Sequence, residues 1–283
     1  MTLKQCYQNW MRGLKSIYSK EESRSLLIKV LSVRFNWQAS ELVTQQHTEL
    51  SDLDLNWLNQ VLSRLMANEP IQYILGRVWF CGHEFKASKY ALIPRPETEE
   101  LVRLIVEMER QTGSKKALDI GTGSGCIALS LAASMNNIYL QAWDISDKAV
   151  ALARENQKKI GVMVQWRVQD IFQPWPKEWF DFIVSNPPYI PMSEKSLIHN
   201  NVLQYEPHMA LFVSDEDPLN YYRRISDQAR HYLNPGGRLY FECHYRYAGE
   251  VHQMLQQMGY TEVVTCKDQW SKQRFVWGIQ SEK

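Results

Sequence analysis

Apolar residues in the first 70 positions recur every three or four residues, which is the spacing of a helix with one buried face. Two such stripes lie at Leu26, Leu27, Val30, Leu31 and Val33 and at Leu55, Leu58, Val61, Leu62 and Leu65. Ser51 or Asp52 precedes the second stripe, and either side chain is suited to cap the first turn of a helix. The pattern predicts a small helical domain over residues 1–70 with a packing or substrate-docking role.

The pattern changes between residues 71 and 95. The short segments Val78-Trp79-Phe80 and Glu84-Phe85-Lys86 flank Cys81-Gly82-His83, which predicts a β-hairpin. Pro96 then suits the first turn of a helix, since proline lacks a donor that this turn does not use. We predict that residues 71–95 form a hairpin linker to a larger domain over 96–283.

Strand and helix patterns alternate through the larger domain. The predicted strands lie at 117–120, 138–143, 164–168, 180–185 and 237–242, with two more near 262–266 and 274–279. Helix-length segments between strands are typical of parallel strands with helices on both faces. Only a tight polar turn separates the last two strands, which predicts an antiparallel pair at one edge. The predicted fold class is α/β, with a doubly wound, seven-stranded, mostly parallel sheet.

Composition narrows the functional class. The chain has 283 residues, 45% of them hydrophobic, and a formal net charge of +1, a balance that disfavours a dedicated nucleic-acid surface. Its 5 cysteines are scattered without a C-x-x-C pair or a metal-ligand spacing, which is typical of reduced thiols. No signal-peptide pattern and no apolar stretch of membrane-spanning length is visible. We predict a cytoplasmic, monomeric protein without a metal.

The segment Asn186-Pro187-Pro188-Tyr189 follows the apolar strand pattern at 180–185. Each proline fixes its own φ and removes a backbone donor, and a residue before proline avoids the helical region. The result is a stiff platform at a strand end. The side-chain oxygen of Asn186 and the carbonyl of Pro187 are placed to accept both hydrogens of a planar NH2 group, with the Tyr189 ring over its face. The alternative is a strand that ends in a polyproline turn.

A glycine-rich loop joins the first predicted strand of the larger domain to its helix. It consists of Gly121, Thr122, Gly123, Ser124 and Gly125. Such a loop lets the backbone turn sharply and approach a ligand, and nucleosides bind at this position in doubly wound folds. Cys126 stands where the dinucleotide fingerprint has its third glycine, and no P-loop lysine follows. The loop therefore indicates a nucleoside-like ligand, with a purely structural turn as the alternative.

Two aspartates follow the next two strands. Asp144 is placed to accept both hydrogen bonds of a ribose diol, although it also resembles a helix cap, a role that Ser146 or Asp147 can take instead. Asp170 is placed to meet the exocyclic amino group of adenine, with Ile171 packing on the base; a surface turn is the alternative for Asp170. The carboxyl ends of parallel strands meet at one edge, so the four features together predict one adenosine-containing ligand beside one NH2-bearing acceptor.

The motifs in their order and spacing resemble the HemK/PrmC family of protein-glutamine N5-methyltransferases, within the class I S-adenosylmethionine-dependent methyltransferases. The resemblance covers nearly the whole chain and is carried by the segments at 69–76, 92–99, 118–125, 184–190 and 205–207. The Asn-Pro-Pro-Tyr motif is shared with DNA adenine-N6 methyltransferases. The segments at 69–76 and 92–99 are much more restricted to the HemK/PrmC family.

The resemblance implies S-adenosylmethionine as the cofactor, and as substrate the glutamine of the Gly-Gly-Gln motif in class I peptide-chain release factors. It implies that the 121–125 loop lies against the methionine part of the cofactor, with Asp144 at the ribose and Asp170 and Ile171 at the adenine. Asn186 would border both ligands. Pro187, Pro188 and Tyr189 would complete the glutamine site.

Two departures from the family pattern are visible. Cys243-His244 stands where relatives have Ile-Gly after the fifth strand, and Asp217-Pro218-Leu219 replaces Asp-Gly-Leu. The first removes a glycine from the backbone path beyond that strand. The second function class is a DNA or RNA adenine-N6 methyltransferase that uses the same platform on a flipped base, for which a basic groove and a base-recognition domain would be needed.

Overall fold

The computed structural model describes residues 1–110 and 113–281. The chain divides into two compact units. Residues 1–76 and 199–205 form a helical unit, and residues 77–198 and 206–283 form a larger α/β unit. This division differs from the predicted boundaries at residues 70 and 95, because residues 71–76 group with the helices and the hairpin groups with the sheet.

The helical unit is built from amphipathic helices around one apolar core. Its helices are α1 (Leu3–Leu14), α2 (Lys20–Phe35), α3 (Glu41–Thr44), α4 (Asp52–Met66), α5 (Ile71–Leu75) and, from the later segment, α9 (Asn200–Tyr205). Ser51 caps α4 by accepting from the Asp54 amide at 3.2 Å, as the sequence indicated. Both predicted stripes contribute to the core, in which Leu27 and Leu65 are fully buried.

The predicted hairpin forms at the start of the larger unit. Strands β1 (Arg77–Phe80) and β2 (His83–Lys86) pair antiparallel around a two-residue turn. Both turn residues have positive φ, 47° at Cys81 and 78° at Gly82, which is the geometry that matches the twist of tight hairpins. Phe80 and Phe85 are buried against the core of the α/β unit.

The remaining elements of the larger unit alternate as the sequence predicted. They are α6 (Pro96–Met108), β3 (Lys115–Ile120), α7 (Cys126–Ser134), β4 (Ile138–Asp144), α8 (Asp147–Ile160), β5 (Gln165–Val168), β6 (Phe180–Ser185), β7 (Ile190–Pro191), β8 (Phe212–Val213), α10 (Asn220–Tyr232), β9 (Leu233–Glu242), α11 (Ala248–Gln257), β10 (Tyr260–Lys267) and β11 (Gln273–Gln280). Short 3-10 helices lie at Met192–Leu197 and His208–Ala210.

Within the described residues the central sheet has seven strands, in the order β10-β11-β9-β6-β3-β4-β5. Neighbours from β9 to β5 pair in parallel, whereas β11 is antiparallel to both β9 and β10. The predicted mostly parallel sheet with an antiparallel edge pair is therefore confirmed. Most residues of the central strands β3 and β6 are buried, because both faces of these strands are covered.

Two apolar clusters cover the two faces of this sheet. One cluster packs α10 and α11 on the sheet and includes Tyr222, Ile225 and Val251. The other packs α6 and α7 and includes Leu101 and Leu129. No helix in the described residues is both long and apolar enough to cross a bilayer.

Candidate active site

A cavity of about 290 Å³ lies where the strands β3, β4, β5 and β6 end. The carboxyl ends of parallel strands with a reversal in strand order form the usual ligand crevice of such sheets. Most of the predicted site residues line this cavity together: Gly121, Thr122, Gly123, Ser124, Asp144, Asp170, Ile171, Asn186, Pro187 and Pro188. Two of the predicted site residues, Gly125 and Tyr189, are not part of the described cavity lining.

The glycine-rich loop is anchored to the neighbouring strand. The amides of Gly121 and Thr122 both donate to the carbonyl of Trp143 in β4, at 2.8 and 3.0 Å. Gly121 has a φ of 72°, and a Cβ at this position would meet no atom within 4 Å, so its missing side chain leaves open cavity space. The Thr122 hydroxyl turns away from the loop and donates to Asp119 at 2.6 Å.

Gly125 supports the loop from behind. A Cβ at this position would lie 2.8 Å from the Trp166 ring and 3.1 Å from Ala153, so close packing requires glycine here. The buried Asn156 of α8 also holds the loop, since its Nδ2 donates to the Ser124 carbonyl at 2.9 Å. Asn156 was not among the predicted site residues. Its signal was an amide on the apolar face that α8 makes with Leu152 and Ala153.

The Asp144 carboxylate is fixed by backbone donors. Oδ2 accepts from the Gly123 amide at 2.8 Å and Oδ1 from the Ser146 amide at 2.9 Å. Ser146, by accepting from the Ala149 amide, caps α8, so the capping alternative does not occupy Asp144. Burial raises the pKa of Asp144, although these amides oppose the shift. Each oxygen keeps a second lone pair that can accept from a hydroxyl in the cavity.

Asp170 and Ile171 form the next part of the wall. The Asp170 Oδ1 accepts from the Phe172 amide at 2.9 Å, so this residue does make the turn that was the alternative reading. Both residues nevertheless line the cavity. Ile171 packs on the apolar cluster beneath α10, which leaves this part of the wall largely apolar. Tyr221 and Phe172, whose rings are 5.7 Å apart, extend the wall and were not predicted.

The Asn-Pro-Pro-Tyr segment follows β6. Its first three residues line the cavity, whereas Tyr189 does not. The Asn186 Nδ2 donates to the Thr98 hydroxyl at 3.4 Å, which leaves Oδ1 on the other side of the amide. Tyr189 instead faces β9: its hydroxyl donates to Glu242 at 3.4 Å, and its ring lies 5.9 Å from the His244 ring. Tyr189 thus packs behind the platform, and its stacking on a bound amide stays a prediction.

The departure at Cys243-His244 is accommodated without glycine. Every φ in the described residues 243–247 is negative, so the chain needs no left-handed residue after β9. Cys243 is fully buried, and its amide donates to the Arg274 carbonyl at 2.7 Å. At the second departure, Asp217 begins a turn before α10 by accepting from the Leu219 amide at 3.2 Å.

Two motifs that carried the resemblance meet beside the cavity. The buried Glu206 accepts from Arg95 at 2.6 Å through one carboxylate oxygen and from the Ile93 amide at 3.1 Å through the other. These residues are 111 to 113 positions apart in the chain, so no local pattern pairs them. The ion pair holds the segment in which Leu92, Pro94 and Arg95 line the cavity.

Two buried carboxyl groups near the site have pKa values raised towards neutrality. Burial raises the pKa of Asp119 to about 7, and the nearby Asp144 charge adds to this shift. Burial also raises the pKa of Glu242 to about 7, although its bond from Thr98 opposes the shift. A carboxyl group titrating near neutrality next to a cavity is a marker of functional sites.

The cavity fits an adenosyl group with an adjoining amide. The buried Asp144 carboxylate has spare acceptor capacity for a diol, and Gly121 leaves room for a ligand against the backbone. The apolar wall at Ile145 and Ile171 suits a planar base, and Asn186 supplies the polar end. In the described residues no group of histidine, cysteine and carboxylate side chains is arranged to hold a metal ion.

Comparisons with known proteins agree with these features. Residues 99–209 match the family model described as Methyltransferase small domain, and residues 8–76 match the PrmC N-terminal domain. The chain is 41% identical to the release factor glutamine methyltransferase of Bacteroides thetaiotaomicron, over 94% of this chain and 95% of that protein. It is 39% identical to the protein of the same name from Flavobacterium psychrophilum, over 98% of both chains.

The fold is also found among solved structures. The crystal structure of a methyltransferase from Pyrococcus furiosus superposes with a TM-score of 0.52 at 19% identity. The match covers 79% of this chain and 100% of that one. At this identity the likeness shows a shared fold.

Proposed function

This chain belongs to the release factor glutamine methyltransferase family, and we propose that it methylates the glutamine of the Gly-Gly-Gln motif in class I peptide-chain release factors. The methyl group comes from S-adenosylmethionine and replaces one hydrogen of the side-chain amide nitrogen, N5, which leaves as a proton. Methylation of this motif modulates translation termination.

One observation carries the proposal: a single cavity is lined both by the glycine loop with Asp144 and by Asn186, Pro187 and Pro188. The first set suits the adenosyl and methionine parts of the cofactor, and the second suits an amide NH2 group. The two ligands would therefore meet within one cavity, as direct transfer between them requires.

The reaction has a chemical difficulty that the site is built to overcome. An amide nitrogen is a weak nucleophile because its lone pair is delocalised into the carbonyl. S-adenosylmethionine, when bound, supplies an electrophilic methyl group on a sulfonium. The described cavity lining contains no histidine, lysine or glutamate, and its two aspartates, Asp144 and Asp170, already accept hydrogen bonds from backbone amides. The chain's own contribution is therefore positioning and electrostatics.

Asn186 and Pro187 provide this contribution. We infer that the Asn186 Oδ1 and the Pro187 carbonyl accept the two N–H groups of the substrate amide. These acceptors hold the nitrogen in line with the methyl group, and they stabilise the positive charge that grows on it. Pro187 is buried, so its carbonyl acts where little water competes. Tyr189 supports the platform from the side of β9.

We infer that the helical unit docks the release factor, and that the enzyme acts as a cytoplasmic monomer without a nucleic-acid partner. A near-neutral chain lacks the basic excess typical of nucleic-acid binding. Docking through contacts remote from the glutamine would contribute binding energy that a short peptide cannot supply.

The test is methyl transfer from labelled S-adenosylmethionine to three acceptors: a whole release factor, a short Gly-Gly-Gln peptide and DNA. We expect label on the factor's glutamine by mass spectrometry, much slower labelling of the peptide, and none on DNA. Label on DNA but not on the factor would support the adenine-methyltransferase alternative and overturn the proposal. Equal rates on the peptide would refute docking by the helical unit.

The role of Asn186 is tested by substitution. Asn186→Ala is expected to lower the rate on the release factor by about 100-fold or more, because one of the positioning acceptors is lost. Cofactor affinity should stay close to that of the wild type. Asn136→Ala, at an exposed position outside the cavity, is the matched control and should retain the wild-type rate. An unchanged rate in Asn186→Ala would refute the role of this side chain.

A further inference from the structure

Behind the Asn-Pro-Pro-Tyr platform lies a chain of hydrogen bonds that ends in a buried carboxylate. Asn186 Nδ2 donates to the Thr98 hydroxyl at 3.4 Å, and that hydroxyl donates to Glu242 Oε2 at 2.7 Å. Tyr189 donates to the other oxygen, Oε1, at 3.4 Å. Thr98 and Glu242 are 3% and 1% exposed, so water does not replace these partners. Thr98, Glu242 and Asn186 come from α6, β9 and the end of β6, respectively.

Sheet register brings these groups together. Strands β6 and β9 are parallel neighbours, and Ser185 lies opposite Phe241. Asn186 and Glu242 are the next residues along each strand, so they reach the same sheet edge side by side. Thr98 approaches from the first turn of α6, where the buried face of the helix begins. The chain of bonds is thus a consequence of the fold.

We propose that Glu242 and Thr98 are positioning residues that set the orientation of the Asn186 amide, so that its oxygen rather than its NH2 group is presented to the substrate. The inference rests on the proposed function for its meaning, since only an NH2-bearing substrate requires an acceptor here. The physical basis is the direction of each hydrogen bond.

An ionised carboxylate only accepts hydrogen bonds. The single hydroxyl hydrogen of Thr98 is therefore committed to Glu242, and its oxygen remains to accept from Asn186 Nδ2. The two atoms of an amide point to opposite sides, so Oδ1 is left for the substrate. A protonated Glu242 would reverse the chain: it would donate to Thr98, and the Thr98 hydrogen would be free to donate to Oδ1. Asn186 would then present a donor to another donor.

The surroundings of Glu242 make this reversal relevant near neutral pH. Burial raises its pKa to about 7, and Glu97 on α6 acts in the same direction. The Arg274 guanidinium on β11 and the Tyr189 hydroxyl oppose the shift. The neighbouring Cys243 thiol is itself buried, and burial raises its pKa, so it stays neutral. From α10, the Tyr222 hydroxyl donates to the Glu242 backbone carbonyl at 3.1 Å. These are the titratable and charged groups that face Glu242 from α6, α10, β9, β11 and the Asn-Pro-Pro-Tyr segment.

The first test compares Thr98→Val with Thr98→Ser in the full chain. Valine keeps the shape but removes the hydroxyl, whereas serine restores it. We expect kcat on the release factor to fall about 10- to 100-fold in Thr98→Val, with cofactor affinity within about threefold of the wild type, and Thr98→Ser to recover most of the rate. Equal rates for the two variants would overturn the proposed orientation of Asn186 by Thr98 and Glu242, which is called the relay below.

The second test reads Asn186 without any substrate. The 15N and 1H signals of its side-chain NH2 group, assigned by their loss in Asn186→Ala, are followed by NMR through a pH titration. We expect a transition near pH 7 in the wild type that is absent in Glu242→Gln, because glutamine does not titrate. The wild-type rate should rise as pH increases through about 7, because only ionised Glu242 holds Asn186 in the active orientation. This rise should be absent in Glu242→Gln.

The outcomes separate the relay from the enzymatic activity. An Asn186 signal that does not respond to pH, or one that responds equally in Glu242→Gln, would refute the relay even if the wild type methylates release factors. A pH response confined to chains with Glu242 would support the relay even if release factor were not the acceptor. Failure of the proposed function appears separately, as a wild-type chain that transfers no label to the factor.

Discussion

Alanine substitution at three glycines should distinguish three effects of an added methyl group. These effects are lost space for a ligand, crowding of packed neighbours and backbone strain. Gly121, Gly125 and Gly161 have φ values of 72°, 80° and 82°, so alanine at each position meets the same left-handed strain. That strain costs about 1–2 kcal/mol, partly offset by the lower entropy of the unfolded chain. The three sites differ in what the new Cβ would touch.

The surroundings set the magnitudes. At Gly161, the end of α8, nothing lies within 4 Å, so Gly161→Ala should cost only the backbone strain of about 1 kcal/mol. At Gly125 the new carbon would lie 2.8 Å from the Trp166 ring, 3.1 Å from Ala153 and 3.1 Å from Leu129. Overpacking of this kind adds about 1–3 kcal/mol. Gly125→Ala should therefore cost about 2–4 kcal/mol of unfolding free energy.

Gly121 completes the comparison. Its Cβ would also meet nothing within 4 Å, so Gly121→Ala should be no less stable than Gly161→Ala. The open space is part of the cavity, however, and a methyl group there would occupy room that we assign to the cofactor. We expect S-adenosylmethionine to bind at least about tenfold more weakly to Gly121→Ala, whereas Gly161→Ala should bind it normally.

Urea unfolding gives the stabilities, and calorimetric titration gives the cofactor affinities. Equal unfolding free energies for Gly125→Ala and Gly161→Ala would refute the role of close packing at Gly125. Wild-type cofactor affinity in Gly121→Ala would refute the assignment of this cavity wall to the cofactor.

Two further predictions concern buried polar groups. Asn156→Ala should lower the unfolding free energy by about 2–3 kcal/mol in urea, because the Ser124 carbonyl and the Lys86 amide lose their partner; Asn136→Ala is the exposed control. Glu242→Gln should change the pH dependence of thermal stability, because the raised pKa means that the folded protein binds this proton more tightly than the unfolded chain. The resulting stabilisation of the wild type is complete below about pH 4.5 and is lost as pH rises through about 7. This change of about 3 kcal/mol in unfolding free energy should be missing in the variant. The same dependence of melting temperature on pH in both proteins would contradict the prediction.

The sequence was sufficient for features that depend on neighbours in the chain. Strand and helix periodicity predicted the alternating elements of the larger unit. The segment Cys81-Gly82-His83 indicated a tight turn, in which Cys81 and Gly82 have positive φ and His83 begins β2. Ser51 caps α4, and Ser146 caps α8, because a cap bonds an amide only a few residues away. Such short-range interactions are visible in the order of residue types.

The cavity wall could be predicted in part for the same reason. Residues that directly follow parallel strands must lie at one edge of the sheet, so Asp144, Asp170 and Asn186 come together. Gly121 and Gly125 had the same predicted role in the ligand loop. Only the close packing of Trp166 against Gly125 distinguishes the two glycines. Tyr189 was assigned to the acceptor side, and only the position of Glu242 shows where its hydroxyl points.

The amino-acid sequence by itself determined the order of the elements, the position of the glycine loop and the stiffness of Asn186-Pro187-Pro188, since these follow from local backbone preferences and periodicity. The tertiary structure decided which polar groups meet behind them. Thr98 and Glu242 lie 144 positions apart, and Arg95 and Glu206 lie 111 apart. Such pairs form only when strand order and helix packing bring distant residues into contact, and burial then shifts the pKa of Glu242 towards neutrality.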